Sequence, residues 1–175
     1  MLNAAQIIDE GLLRLERAQG KPAQVGFDIT LKQVNKIGNK IGGNVYRDGK
    51  IGKILKDSTQ LTTYTPYEMI NLDGANGWLL YEGVYDITFN EGCKIPSNRV
   101  AFIKQRSSLY RNGTIINSPV FDPGFETEFM GTLMYVHETI FIEENARVAQ
   151  IYFHECEAAE LYTGQWQGDK QRAQQ

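Results

Sequence analysis

Hydrophobic positions along the chain come in short bursts. Runs rich in Val, Ile, Tyr, Phe and Thr cover 25–31, 78–81, 84–89, 100–104, 131–136, 139–142 and 147–153. Between them stand turn-forming pairs such as Gly38-Asn39, Asp48-Gly49, Asn76-Gly77 and Asn112-Gly113. Short strands punctuated in this way predict an all-β sandwich or barrel. The 17 glycines in 175 residues exceed the usual ~7% and fit a turn-rich chain. No repeat and no linker divides the sequence, so one domain is expected over residues 1–163. Residues 164–175 carry a single large hydrophobe, Trp166, and are expected to form a mobile C-terminal tail.

Only two helices are predicted. Asn3 is a good N-cap, Gln6 completes a capping box, and Leu2 and Ile7 are spaced for a hydrophobic staple. Two endings suit this helix. Gly11 caps it and a strand starts within 12–16, or one apolar face of Ile7, Ile8, Leu12 and Leu15 continues to Ala18. A glycine inside a helix costs about 1 kcal/mol, which favours the shorter form. The second helix is a short one at 107–111, opened by a serine pair.

Composition removes several function classes. Hydrophobic residues at 42% and charged residues at 22% are ordinary for a globular protein. No apolar run approaches the roughly 20 residues of a membrane span, and no secretory signal opens the chain. A cytoplasmic location without a membrane partner is therefore expected. A formal charge of -3 argues against a nucleic-acid-coating protein. Cys93 and Cys156 are too few for a disulfide framework or a four-cysteine zinc site. The His-x-Glu and Pro-Cys-x-x-Cys motifs of the zinc nucleobase deaminases are absent.

Four polar clusters interrupt the strands. Asp28 sits in the otherwise apolar Gly26-Phe27-Asp28-Ile29-Thr30-Leu31, where it either serves chemistry or bonds nearby backbone. Arg106-Ser107-Ser108-Leu109-Tyr110-Arg111 places hydroxyls and a helix start between two guanidinium groups, an arrangement for phosphate oxygens or an ordinary cap with solvated arginines. Asp122 precedes a Pro-Gly turn, which holds a carboxylate rigidly enough to orient a water and is also an ordinary turn. Gln150 lies in the apolar run after Arg147 and needs hydrogen-bond partners there.

Taken in order, these segments resemble the dUTPase and dCTP deaminase superfamily. Gly26-Phe27-Asp28 looks like its first motif, and Arg106-Ser107-Ser108-Leu109-Tyr110-Arg111 matches its RSSLxR phosphate motif. Asp122-Pro123-Gly124-Phe125 is similar to DPGF, and Ala146-Arg147-Val148-Ala149-Gln150 to GxRxAQ. Tyr162-Thr163-Gly164-Gln165-Trp166-Gln167-Gly168 looks like the YxGKYQG tail of the archaeal branch.

The resemblance implies a distorted jelly-roll and a homotrimer with shared active sites. One chain would supply the serine motif, and another the aspartate and the base-binding hairpin. It further implies that Asp122 orients the attacking water, Arg111 braces the site, and Arg106, Ser107, Ser108 and Gln150 hold phosphates. Gly124 and Phe125 would pack at the deoxyribose. Tyr162, Gln165, Trp166 and Gln167 would close over the nucleotide. Mg2+ would be carried mainly by the triphosphate, with Asp28 as its protein ligand.

Within this superfamily, deamination of dCTP uses a Glu in a TLEL-like strand. The corresponding Thr132-Leu133-Met134-Tyr135 has Met134 at that position, and a thioether moves no proton. A different gap would bring Glu126 or Glu128 to the base instead. The expected activity is hydrolysis of dUTP to dUMP and pyrophosphate. A dCTP deaminase, with or without dUTPase activity, and a non-catalytic nucleotide-binding trimer are the alternatives.

Overall fold

Strands dominate the computed structural model, which describes residues 1–16, 19–38, 43–45, 51–53, 63–164 and 167–168. The chain opens with α1 (Ala4–Asp9), β1 (Leu13–Arg14), β2 (Lys21–Pro22) and β3 (Phe27–Gly38). Then come β4 (Gly43–Val45), β5 (Ile51–Lys53), β6 (Thr63–Pro66), β7 (Ile70–Leu72), β8 (Ala75–Leu80), β9 (Gly83–Phe89) and β10 (Gly92–Lys94). The second half holds β11 (Arg99–Gln105), α2 (Ser107–Arg111), β12 (Thr114–Asn117), β13 (Glu126–Thr127), β14 (Gly131–Val136), β15 (Ile140–Glu143) and β16 (Arg147–Glu155).

The expected distorted jelly-roll follows from the way β3 changes neighbours. Its first residues pair with β16 and β2, and its later ones with β9 and β6. The sheet path runs β11-β16-β3-β9-β14-β12, every pair antiparallel. Register shifts lie between Leu31 and Gln33 on β3 and between Arg147 and Ala149 on β16. Bulges of this kind sharpen twist and let a strand turn from one layer into the next.

Alternation decides which face is core. On β16, Ile151 and Phe153 point inward, while Gln150, Tyr152 and His154 are half-buried on the other face. On β11, Ala101 and Ile103 are inward and Lys104 is exposed. With Ile29, Leu31, Val34, Ile87 and Phe89 these form one continuous core. Each of the larger of these side chains contributes about 1.5–3 kcal/mol on burial, so the inward face holds the fold and the outward face is left for chemistry.

The shorter form of the first helix is the one observed. Asn3 and Gln6 form a reciprocal capping box, Leu2 and Ile7 are buried, and Gly11 adopts φ +63° just past the helix. The Leu2 N–H donates to the Phe153 carbonyl and ties the N-terminus to β16. Both cysteines are free thiols, and burial pushes the Cys93 thiol up. Among the described residues no helix is long and apolar enough to cross a membrane.

Candidate active site

Four of the polar motif residues meet on the outward face of the β3–β16–β11 sheet. Asp28 and Gln150 face each other in register, and the Gln150 Nε2 donates to Asp28 Oδ1 at 2.9 Å. The other carboxylate oxygen accepts from Arg106 Nη1 and, at 3.0 Å, from Arg147 Nη1. The Asp28 side chain is only 3% exposed beneath these two guanidinium groups. A buried carboxylate needs such partners, and charge-assisted bonds of this type contribute about 1.5–3 kcal/mol each.

Arg147 reaches this cluster because of the bulge. Strict alternation back from Gln150 would turn Arg147 toward the core. The register shift between Arg147 and Ala149 adds one residue, buries Val148 and turns the Arg147 side chain out to Asp28. The sequence motif contains Arg147 but assigns it no role. The structure makes it a member of the cluster.

Arg106 follows β11 and is the N-cap of α2, in extended conformation and with no side chain capping the helix. Ser107 and Ser108 follow, exposed in the first turn. Arg111, expected to brace the site, lies exposed in the last turn of α2, and no ion pair holds it among the described residues.

The surroundings of Asp28 do not fit the Mg2+-ligand role that the resemblance implies for it. Both oxygens are engaged, and two guanidinium groups repel a divalent cation. Among the described residues no group of three or more His, Cys, Asp or Glu is placed to hold a metal ion. Asp28 is instead the anchor that gathers Arg106, Arg147 and Gln150.

A second buried carboxylate supports the first. Glu91 is fully buried and accepts from the Thr30 N–H at 2.8 Å, the Thr30 hydroxyl at 2.9 Å and the Gly20 N–H at 3.0 Å. Burial raises its pKa, and the bonds from Thr30 and Gly20 oppose that rise. Thr30 is two residues from Asp28 and pairs with Arg147. The Asn90 amide donates to the Thr30 hydroxyl and to Asn145, which sits at φ +62° ahead of the bulge.

Asp122 stands elsewhere. It is exposed on a tight turn in which the Phe125 N–H donates to the Asp122 carbonyl. Gly124 takes φ +87°, open to glycine with little strain, and an added Cβ would also crowd Leu161 at 3.0 Å. The Phe125 ring packs between Phe121 and Tyr162, with centroids 5.7 and 5.3 Å away. Phe121 bridges Ala101 antiparallel, so the chain passes Asp122 on the side away from Arg106. At about 3.3 Å per strand residue, Ala101 and Arg106 are roughly 16 Å apart along β11.

The tail docks on this turn in the same chain. The Tyr162 N–H donates to the Pro123 carbonyl, the Gln167 amide bonds the Gly124 carbonyl and the Glu126 N–H, and the Gly168 N–H donates to the Glu126 carbonyl. Gln167 and Gly168, in the segment expected to be mobile, are thus hydrogen-bonded to this turn. Gln165 and Trp166 lie outside the described residues, as does the chain beyond Gly168.

The groups relevant to deamination are also placed. Met134 is fully buried in the core, between Tyr85 and Ile116 on the neighbouring strands. Glu126 and Glu128, the other candidates, are both ion-paired to Arg14, the latter at 2.8 Å.

Comparison with known proteins identifies the family and the fold. The family model for dCTP deaminase-like proteins matches residues 2–156. The chain is 32% identical over 162 residues to a probable deoxyuridine 5'-triphosphate nucleotidohydrolase of Methanosarcina mazei, covering 89% of this chain and 87% of that one. It is 38% identical over 104 residues to the deoxyuridine 5'-triphosphate nucleotidohydrolase of Methanocaldococcus jannaschii, covering 58% and 65%. Among solved structures, the 2'-deoxycytidine 5'-triphosphate deaminase of Agrobacterium tumefaciens shares the fold at a TM-score of 0.56 and 13% identity, covering 87% of this chain and 46% of that one. The match across residues 2–156, together with the clustered motif residues, establishes that the chain belongs to the dCTP deaminase-like family.

Proposed function

We propose that this protein hydrolyses dUTP to dUMP and pyrophosphate and does not deaminate dCTP. The observation that carries this choice is Met134, which the resemblance matches to the deaminase's proton-carrying Glu and which is a thioether fully buried in the core. The two carboxylates that offer an alternative, Glu126 and Glu128, are both ion-paired to Arg14. Relatives described as deoxyuridine triphosphate nucleotidohydrolases support the same reading.

Hydrolysis needs a water aimed in line at the α-phosphorus and stabilisation of the leaving pyrophosphate. Asp122, exposed on its rigid turn, orients that water. Arg106, Arg147, Ser107, Ser108 and Gln150 hold phosphate oxygens, with the arginines fixed in direction by Asp28. Gly124 and Phe125 receive the sugar, and Tyr162 and Gln167 cover it. Mg2+ arrives on the triphosphate, and no residue of this chain is assigned to it.

The site is completed by a second copy in a homotrimer. Support comes from the strand geometry: Phe121, beside Asp122, is bridged to Ala101, which lies roughly 16 Å along the chain from Arg106, a long way for one nucleotide to present its α-phosphate to both within one chain. The test is incubation with dUTP and, separately, dCTP in the presence of Mg2+, resolving dUMP, pyrophosphate and ammonia. Formation of dUMP and pyrophosphate from dUTP, with no ammonia from dCTP, is expected. Ammonia release from dCTP at a rate comparable to dUTP hydrolysis would overturn the reading.

A further inference from the structure

Four residues stand in one row across four adjacent strands. Lys21 on β2 faces Asp28 on β3, Asp28 faces Gln150 on β16, and Gln150 faces Lys104 on β11. Directly opposed residues project from the same side of a sheet, so both lysines share the face of the Arg106–Asp28–Arg147 cluster. The row spans three strand gaps, about 14 Å between the lysine backbones.

The position of Lys21 is built rather than incidental. β2 has only two residues, yet Gly20 before it is anchored by the buried Glu91 carboxylate. Gly20 also lies so close to Asp28 that an added Cβ would strike the Asp28 carbonyl oxygen. Only glycine allows this approach, and it sets Lys21 beside the cluster.

Charge around the row is in surplus. Arg106, Arg147, Lys21 and Lys104 face two carboxylates, Asp28 and Glu91. Those carboxylates are already satisfied by the arginines, Gln150, Thr30 and Gly20. Both lysines are exposed, and neither is ion-paired among the described residues. Positive charge in excess of local carboxylates, held on a rigid sheet, attracts a polyanion.

We propose that Lys21 and Lys104 flank the phosphate site and bind the terminal phosphates, so that they select a nucleoside triphosphate over the mono- and diphosphate. This rests on the reading of the site given above. The guanidinium groups fixed by Asp28 hold the phosphates nearer the sugar. The lysines, as flexible point charges, follow the end of the chain.

The test is calorimetric titration of the full-length protein and of its Lys21→Gln and Lys104→Gln variants. The probes are a non-hydrolysable α,β-imido analogue of dUTP, dUMP and inorganic tripolyphosphate. Each variant is expected to bind the analogue and tripolyphosphate about 3- to 10-fold more weakly, with dUMP affinity unchanged. Equal losses for dUMP and the analogue, or no loss for either, would overturn the proposal. If the wild type binds tripolyphosphate through these lysines but not the analogue, the lysine site stands and the dUTP reading falls. Failure of the wild type to bind either probe would overturn both.

Discussion

Asp28 and Gln150 stand directly opposite each other on neighbouring antiparallel strands, joined by a 2.9 Å hydrogen bond from amide to carboxylate. This contact explains how polar groups remain on strands whose other face is core. The amide satisfies one oxygen of a nearly buried acid, and two arginines satisfy the other. Gln150 is thereby held with its amide directed at the carboxylate, and both arginines are directed at it as well.

Asp28→Asn should lower stability and turnover together. The amide keeps one acceptor but leaves two guanidinium groups facing each other without an anion. Breaking a buried ion pair costs about 3–5 kcal/mol. Because Arg106 and Arg147 are 29% and 36% exposed, solvent should screen the loss to the lower end or below. Urea unfolding and steady-state kinetics check both effects. A variant of unchanged stability would show that the arginines do not depend on Asp28.

Local signals account for what the sequence reveals. The capping box of α1, the bounds of α2 and the alternation of β14 depend on residues within a few positions of each other. The cluster does not. Asp28 meets Arg106, Arg147 and Gln150 across 78, 119 and 122 residues, so no local pattern reports those contacts. Arg147 is hidden from the sequence because a bulge reverses the face that alternation assigns to it. Arg14, which pairs with Glu126 from 112 residues away, is equally invisible there.

Glu91 should make stability depend on pH. Its folded pKa is raised by burial above the ordinary 4.5, so the folded state binds a proton that the unfolded state has released. Linkage then requires stability to fall as pH rises from about 4.5 through the folded pKa, with a slope of at most about 1.4 kcal/mol per pH unit. Glu91→Gln, which cannot ionise, should lack this slope. Urea midpoints of both proteins across that range check it. A wild-type midpoint that rises relative to the variant's would reverse the assignment.

Asp122→Asn should bind the imido analogue of dUTP normally and lose turnover. The side chain is exposed and makes no structural contact among the described residues, so its replacement should leave the fold intact. An amide keeps the shape but accepts no proton from water, a loss of roughly 10²- to 10⁴-fold in kcat. Retained kcat would remove Asp122 from the chemistry.

Mixing two inactive variants should restore activity. Asp122→Asn lacks the water-orienting group, and Arg106→Ala lacks a phosphate ligand. If each site joins Arg106 of one copy to Asp122 of another, a trimer re-formed from equal amounts of both has intact pairs at roughly a quarter of its sites. Activity near that fraction of wild type is expected after joint unfolding and refolding, and none after mixing without exchange of subunits. A site within one chain predicts no recovery under either condition, since every chain carries a defect. The strand spacing favours recovery, because Phe121 is bridged to Ala101 while Arg106 caps the far end of the same strand. Light scattering on the same samples separates failed assembly from a failed hypothesis. Trimers that form and remain inactive would place the whole site in one chain and require Asp122 to approach Arg106 by a rearrangement of the turn.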